Sequence, residues 1–145
     1  MSEEERQIIA RLEAMLEVAR ALAHERVDAL ATPDAVIEPF AVAWTGGEQR
    51  LLDLADVAGA LASPTGVNRV ASTLISRYDA DTFAVVSVAH ASPSGDAEHP
   101  QSREVLRVIL GHATGFSGSA WAEVARTSAG PRLSAVWQIS EDAEG

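Results

Sequence analysis

The chain has 145 residues, 47% apolar and 22% charged, a balance that predicts one globular domain with its own core and excludes a disordered polymer. Its formal net charge of −10 argues against unaided binding to phosphate backbones or anionic lipid. Cysteine is absent and all eleven basic residues are arginine, so thiol catalysis, thiolate metal sites, disulfides and lysine-based Schiff-base or P-loop chemistry are excluded by composition.

The N-terminus opens Ser2-Glu3-Glu4-Glu5, which predicts a capped helix with acids on its positive end rather than a signal peptide. No run approaches the ~18 apolar residues of a membrane span, and the expectation is a cytoplasmic protein. From Ser2 to about Leu30 an apolar stripe recurs at helical spacing: Ile8, Ile9, Leu12, Met15, Leu16, Ala19, Leu22 and Ala23. A helix of that length spans ~40 Å, so part of it is expected to protrude or to pack against another chain.

Val36–Trp44 reads as a strand whose first half is demoted by Pro39. Thr45-Gly46-Gly47 supplies a hairpin turn, and Glu48–Leu52 returns as a short strand. Asp53 and Asp56 can cap a short helix running to Ala62. Thr65 is the expected N-cap of a second helix, in which Val67, Val70, Ala71, Leu74, Ile75 and Tyr78 share one face. Phe83–Ala91 and Val105–Ala113 are nearly continuous apolar runs, expected as central strands joined by the polar segment Ser92–Arg103. A turn at Gly115–Gly118, a strand over Ser119–Thr127, a turn at Ser128–Pro131 and an alternating strand over Leu133–Ile139 complete the chain. The acidic ends, 1–5 and 140–145, are expected to be loose.

This order predicts a single α+β two-layer domain over 1–145. It would have an antiparallel sheet of five to six strands, a ββ hairpin plus a C-terminal meander, with helices mainly on one face. The order of long helix, hairpin, helix and meander over about residues 8–113 resembles profilin-like and roadblock-type domains, and implies that layered fold. Val85-Val86-Ser87-Val88-Ala89-His90, with His99-Pro100-Gln101-Ser102-Arg103-Glu104-Val105, is similar to a loose group of uncharacterised phage and bacterial proteins. In that group Glu and Trp stand where this chain has Val88 and His90, and the resemblance brings no known function.

His90, Asp96, Glu98, His99 and Glu104 surround one loop, and their imidazole and carboxylate groups suit a zinc or non-haem metal by ligand type. Their spacing matches no established metal motif, and an ordinary solvated loop is the competing reading. His112 falls at the far end of the same hairpin, ~25 Å from His90 at ~3.3 Å per residue, and cannot share a metal with it. Ser87, His90 and Asp96 or Glu98 fail as a hydrolase triad, because Ser87 and His90 point to opposite faces of a strand. Trp121 and Trp137 are expected on neighbouring strands, packed in the core or, with Trp44, exposed as partner contacts. Arg103 and Arg107 are expected to ion-pair with Glu104 or Glu98, the competing readings being anion recognition or a partner contact.

With no coherent catalytic set and no cofactor motif, the sequence favours a non-enzymatic interaction or regulatory module. A protein partner or a second copy would bind through the first helix or a sheet edge, with no nucleic acid, membrane or cofactor involved. The alternatives are a small metal-dependent hydrolase or ligand binder centred on the His90–Glu104 loop, and an acidic phage or mobile-element protein that blocks a host factor.

Overall fold

Ser2 caps the first helix as its sequence demands: its Oγ accepts the Glu5 N–H at 3.1 Å, beneath three acids in the first turn. The computed structural model describes residues 2–91 and 103–140. Along the chain they form α1 (Glu3–Asp28), β1 (Phe40–Thr45), β2 (Glu48–Asp53), a 3₁₀ segment (Ala55–Ala62) and α2 (Pro64–Tyr78). Then come β3 (Thr82–Ala91), β4 (Arg103–His112), β5 (Ser117–Thr127), β6 (Gly130–Leu133) and β7 (Gln138–Ser140). The strands make one antiparallel sheet in the order β2-β1-β3-β4-β5-β6, with β7 pairing β5 beside β6. The chain is therefore a single α+β domain, as the element order predicts. Among the described residues no helix is long and apolar enough to cross a membrane.

Strand alternation sorts the core into two halves. Phe40, Val42, Ala84, Val86, Leu106, Val108, Ala120 and Ala122 face α1, whose Ile8, Leu12, Met15, Leu16, Ala19, Ala23 and Val27 are buried on them. The alanines on both sides let α1 settle close to the sheet. Its apolar stripe is thus covered by its own domain from the second turn to the last.

The alternate residues Ala41, Ala43, Phe83 and Val85 face the other way, against Leu61, Val67 and Leu74 of the 3₁₀ segment and α2. Burying Val67 and Leu74 contributes about 3–6 kcal/mol before entropy. The helices therefore lie on both faces, not mainly on one. β1 and β3 are apolar on both sides and require two covers. α1 and the sheet form the two full layers, while α2 and the 3₁₀ segment cover only the β1–β3 end of the second face.

Three local expectations need correction. Ser63, not Thr65, caps α2: its Oγ accepts the Gly66 N–H at 3.1 Å and Pro64 takes the first helical position, where no N–H is needed. The segment after Asp53 is 3₁₀ rather than α, with a non-helical break at Val57. The alternating run Leu133–Ile139 is two short strands. Leu133 pairs with Val124 and Gln138 with Trp121, so five steps of one chain oppose three of the other and the surplus residues bulge out.

Candidate functional site

The loop nominated for metal chemistry is described only at its two ends; Asp96, Glu98 and His99 lie outside the described residues. His90 is exposed at the end of β3, directly opposite Glu104 on β4. Both Glu104 oxygens accept from Arg126, at 2.9 and 2.7 Å, and that bidentate contact raises the guanidinium's pKa above its ordinary value against the opposing effect of burial. Arg126 also donates to the Ala35 carbonyl at 2.6 Å, tying the α1–β1 connection to β5. Glu104 is therefore a structural anchor. Among the described residues, no group of three or more histidines and carboxylates is placed to hold a metal.

Arg103 pairs with Glu123 of β5 at 2.6 Å, not with Glu104, because residues 103 and 104 point to opposite faces of the sheet. Arg107 is exposed and meets no carboxylate among the described residues. Its cross-strand neighbours are Ser87 and Trp121, on the second face beside the start of α2. His112 stands opposite Thr82 at the far end of the hairpin from His90, as the strand lengths require.

The three tryptophans do not form a cluster. Trp44 lies on the α1 side, where its Nε1 donates to Gln49 at 2.9 Å and the Arg11 guanidinium sits 4.9 Å from its ring. Trp137 belongs to the β6–β7 connection rather than to a strand. Its indole N–H donates to His24 Nε2 at 3.1 Å, and the two rings meet edge to face. Trp121 faces away from α1 and pairs with Gln138. Trp137 packs on the α1 side of the sheet and Trp121 on the other, so the two rings do not meet.

Arg11 and Asp81 form a polar knot that the sequence does not announce. Arg11 Nε donates to Asp81 Oδ1 at 2.7 Å and to Thr82 Oγ1 at 3.0 Å, and its Nη2 donates to the Gly46 carbonyl at 2.7 Å. Asp81 Oδ2 accepts the Gly46 N–H at 2.9 Å. Burial pushes the Asp81 carboxyl up, but hydrogen bonds from Arg11, Thr82 and Gly46 outweigh it and hold its pKa below the ordinary value. The knot joins α1, the β1–β2 turn and the start of β3. Each of its four residues is held by at least one of these hydrogen bonds, which gives it a structural role.

Among the described residues, a well-formed concave surface lies where no sequence motif points. A cleft of about 560 Å³ opens between the end of β2, the 3₁₀ segment and α2, on the outer side of the second core. Leu52, Leu54, Val57, Val70 and Leu74 make its apolar wall, and Asp53, Arg69, Thr73 and Tyr78 its polar positions. The size and lining fit a ligand pocket. Gly66 fixes one end: a Cβ there would lie 1.8 Å from the Ala60 carbonyl oxygen, so only glycine lets α2 start hard against the 3₁₀ segment. Asp53 Oδ1 accepts the Ala55 N–H at 2.9 Å, which turns the chain out of β2 to form the opposite wall.

The cleft shows as a mismatch between apolar sequence and exposure. Seven of the eight residues in Ala-Asp-Val-Ala-Gly-Ala-Leu-Ala are apolar or glycine, yet only Leu61 is buried. Likewise Val70 and Tyr78, on the α2 stripe, are only half-buried. No family model, curated protein or solved structure matches the chain.

Proposed function

We propose that the chain is a non-enzymatic interaction module that pairs with a second copy of itself through the free edge of β2. The observation that carries this reading is the contrast between the two edges of the sheet. On one side β5 is covered by two short strands with a bulge between them, an arrangement that blunts an edge. On the other, β2 runs unbroken from Glu48 to Asp53, exposed over nearly its whole length and carrying neither proline nor lysine.

The charge order on β2 supports a copy of the same strand as its partner. The Gly46-Gly47 turn, with positive φ at Gly46 only, has the form of a type II′ hairpin. Thr45 and Glu48 are then the closing hydrogen-bonded pair, and the backbone groups of Gln49 and Leu51 point outward. An antiparallel copy related by a two-fold axis at Gln49 sets each Glu48 opposite the other copy's Arg50. Two complementary charge pairs flank the axis, each contributing roughly 0.2–1 kcal/mol. A cytoplasmic setting belongs to the same proposal and is compatible with a chain that has no cysteine.

Size-exclusion chromatography with light scattering tests the pairing. The expected species is a dimer at micromolar concentration. Glu48→Arg or Arg50→Glu alone should weaken it roughly ten- to thirtyfold, since attraction becomes repulsion at two places. The charge-swapped double variant should restore it. A wild-type protein that stays monomeric, or a double variant no better than the singles, would refute the reading.

A further inference from the structure

We infer that the cleft between β2, the 3₁₀ segment and α2 is a binding site for a single-chain amphiphile bearing one carboxylate, such as a medium-length fatty acid. The shape comes first. Gly66, Val70, Leu74 and Tyr78 follow one another along α2, so the cleft runs parallel to the helix. Arg69 and Tyr78 are nine residues apart, about 13 Å along the axis at ~1.5 Å per residue. Between them the wall is apolar and open, a channel for an extended alkyl chain rather than for a compact polar molecule.

Charge selects the head group. In a chain of net charge −10, α2 carries Arg69 and Arg77 and no acid. Arg69 lines the cleft, and its guanidinium has no hydrogen-bond or ion-pair partner among the described residues. A planar fork beside an apolar trough is suited to receive a carboxylate in two parallel hydrogen bonds. Thr73, one turn along the same face, adds a hydroxyl, although its own proton is committed to the Arg69 carbonyl at 2.9 Å. At the far end the Arg50 guanidinium lies 5.9 Å from the Tyr78 ring. Asp53 is the one acid on the lining, and its Oδ1 is engaged by the Ala55 N–H. The carboxylate therefore belongs at Arg69, with the chain running towards Tyr78.

Calorimetric titration of the full chain with octanoate, decanoate and decanol, all below their aggregation concentrations, tests the assignment. One-to-one saturable binding of decanoate is expected, about fifteenfold tighter than octanoate from roughly fourfold per buried methylene. Arg69→Gln should weaken decanoate at least tenfold and leave decanol unchanged. Thr73→Trp, an exposed position whose new side chain fills the cleft, should abolish both while the melting temperature holds. Equal binding of decanoate and decanol, indifference to Arg69→Gln, or binding that survives Thr73→Trp would overturn the inference. So would competition only by acidic peptides, with no binding of the free fatty acid. Glu48→Arg, which breaks the proposed β2 pairing, should leave decanoate binding intact, so the two ideas fail separately.

Discussion

Gly111→Ala is the substitution whose sign depends most directly on the packing described above. Glycine within a strand is ordinarily a weakness, and alanine there is worth about 0.5–1 kcal/mol. At position 111 a Cβ would lie 2.2 Å from Phe83 Cζ and within 3 Å of both neighbouring ring carbons. Phe83 stands directly opposite on β3, is buried in the second core, and lies across the bare glycine. The ring must move, and overpacking of this kind costs about 1–3 kcal/mol. A net loss of about 1–2 kcal/mol follows, or a melting temperature lower by roughly 2–8 °C at ~2–4 °C per kcal/mol. Chemical and thermal denaturation followed by circular dichroism would measure it. Phe83→Leu should be less harmful in the Gly111→Ala background than in the wild type, giving a coupling energy of ~1 kcal/mol or more. Gly118, with nothing within 4 Å of its notional Cβ, is the control, and Gly118→Ala should be neutral or stabilising. A Gly111→Ala protein as stable as the parent, or a coupling near zero, would refute the packing argument.

Two further outcomes can be checked alongside the dimer and ligand titrations already described. Because the Asp81 pKa is lowered in the fold, its contribution is complete above the ordinary carboxyl value of 3.8 and is lost as pH falls through the lower folded pKa. Asp81→Asn should cost about 1 kcal/mol or less at neutral pH, a modest value because the ion pair is one-third exposed, and the gap from wild type should close in acid denaturation below pH ~4. Trp137→Phe removes the indole donor to His24 and should lower stability by about 0.5–1.5 kcal/mol in urea titrations, with α1 otherwise unchanged in helical content.

Much of the fold is legible because local chemistry and tertiary demand agree. The stripe from Ile8 to Ala23 is buried along nearly its whole length, and the apolar runs at 83–91 and 105–113 become β3 and β4 within two residues at each end. The faces were harder to read. Alternation says that Ala41 and Phe40 part company, but not which helix comes to which side. That choice is made by Val67 and Leu74 fitting Ala43, Phe83 and Val85. The bulge between β6 and β7 was hidden because Leu133, Ala135, Trp137 and Ile139 alternate cleanly, and a two-residue surplus leaves that parity intact.

The candidate site was less legible than the fold. Histidines and carboxylates around one loop attract notice because ligand types are visible in sequence, whereas Glu104 was already claimed by Arg126, 22 positions away. The cleft arises from three elements that individually look like ordinary amphipathic segments. Only the mismatch between the apolar content of Ala55–Ala62 and its exposure betrays it. Gly66, which sets the cleft's end, carries no mark in sequence that separates it from a weak helix residue.

The interruption between β6 and β7 has a consequence for the size of any assembly. A sheet with two receptive edges can add copies at either side and grow into a fibre. Here one border is broken into pieces of four and three residues, too short and too bent to template a new strand. Pairing through β2 would consume the remaining border in both copies at once, so association would terminate at two.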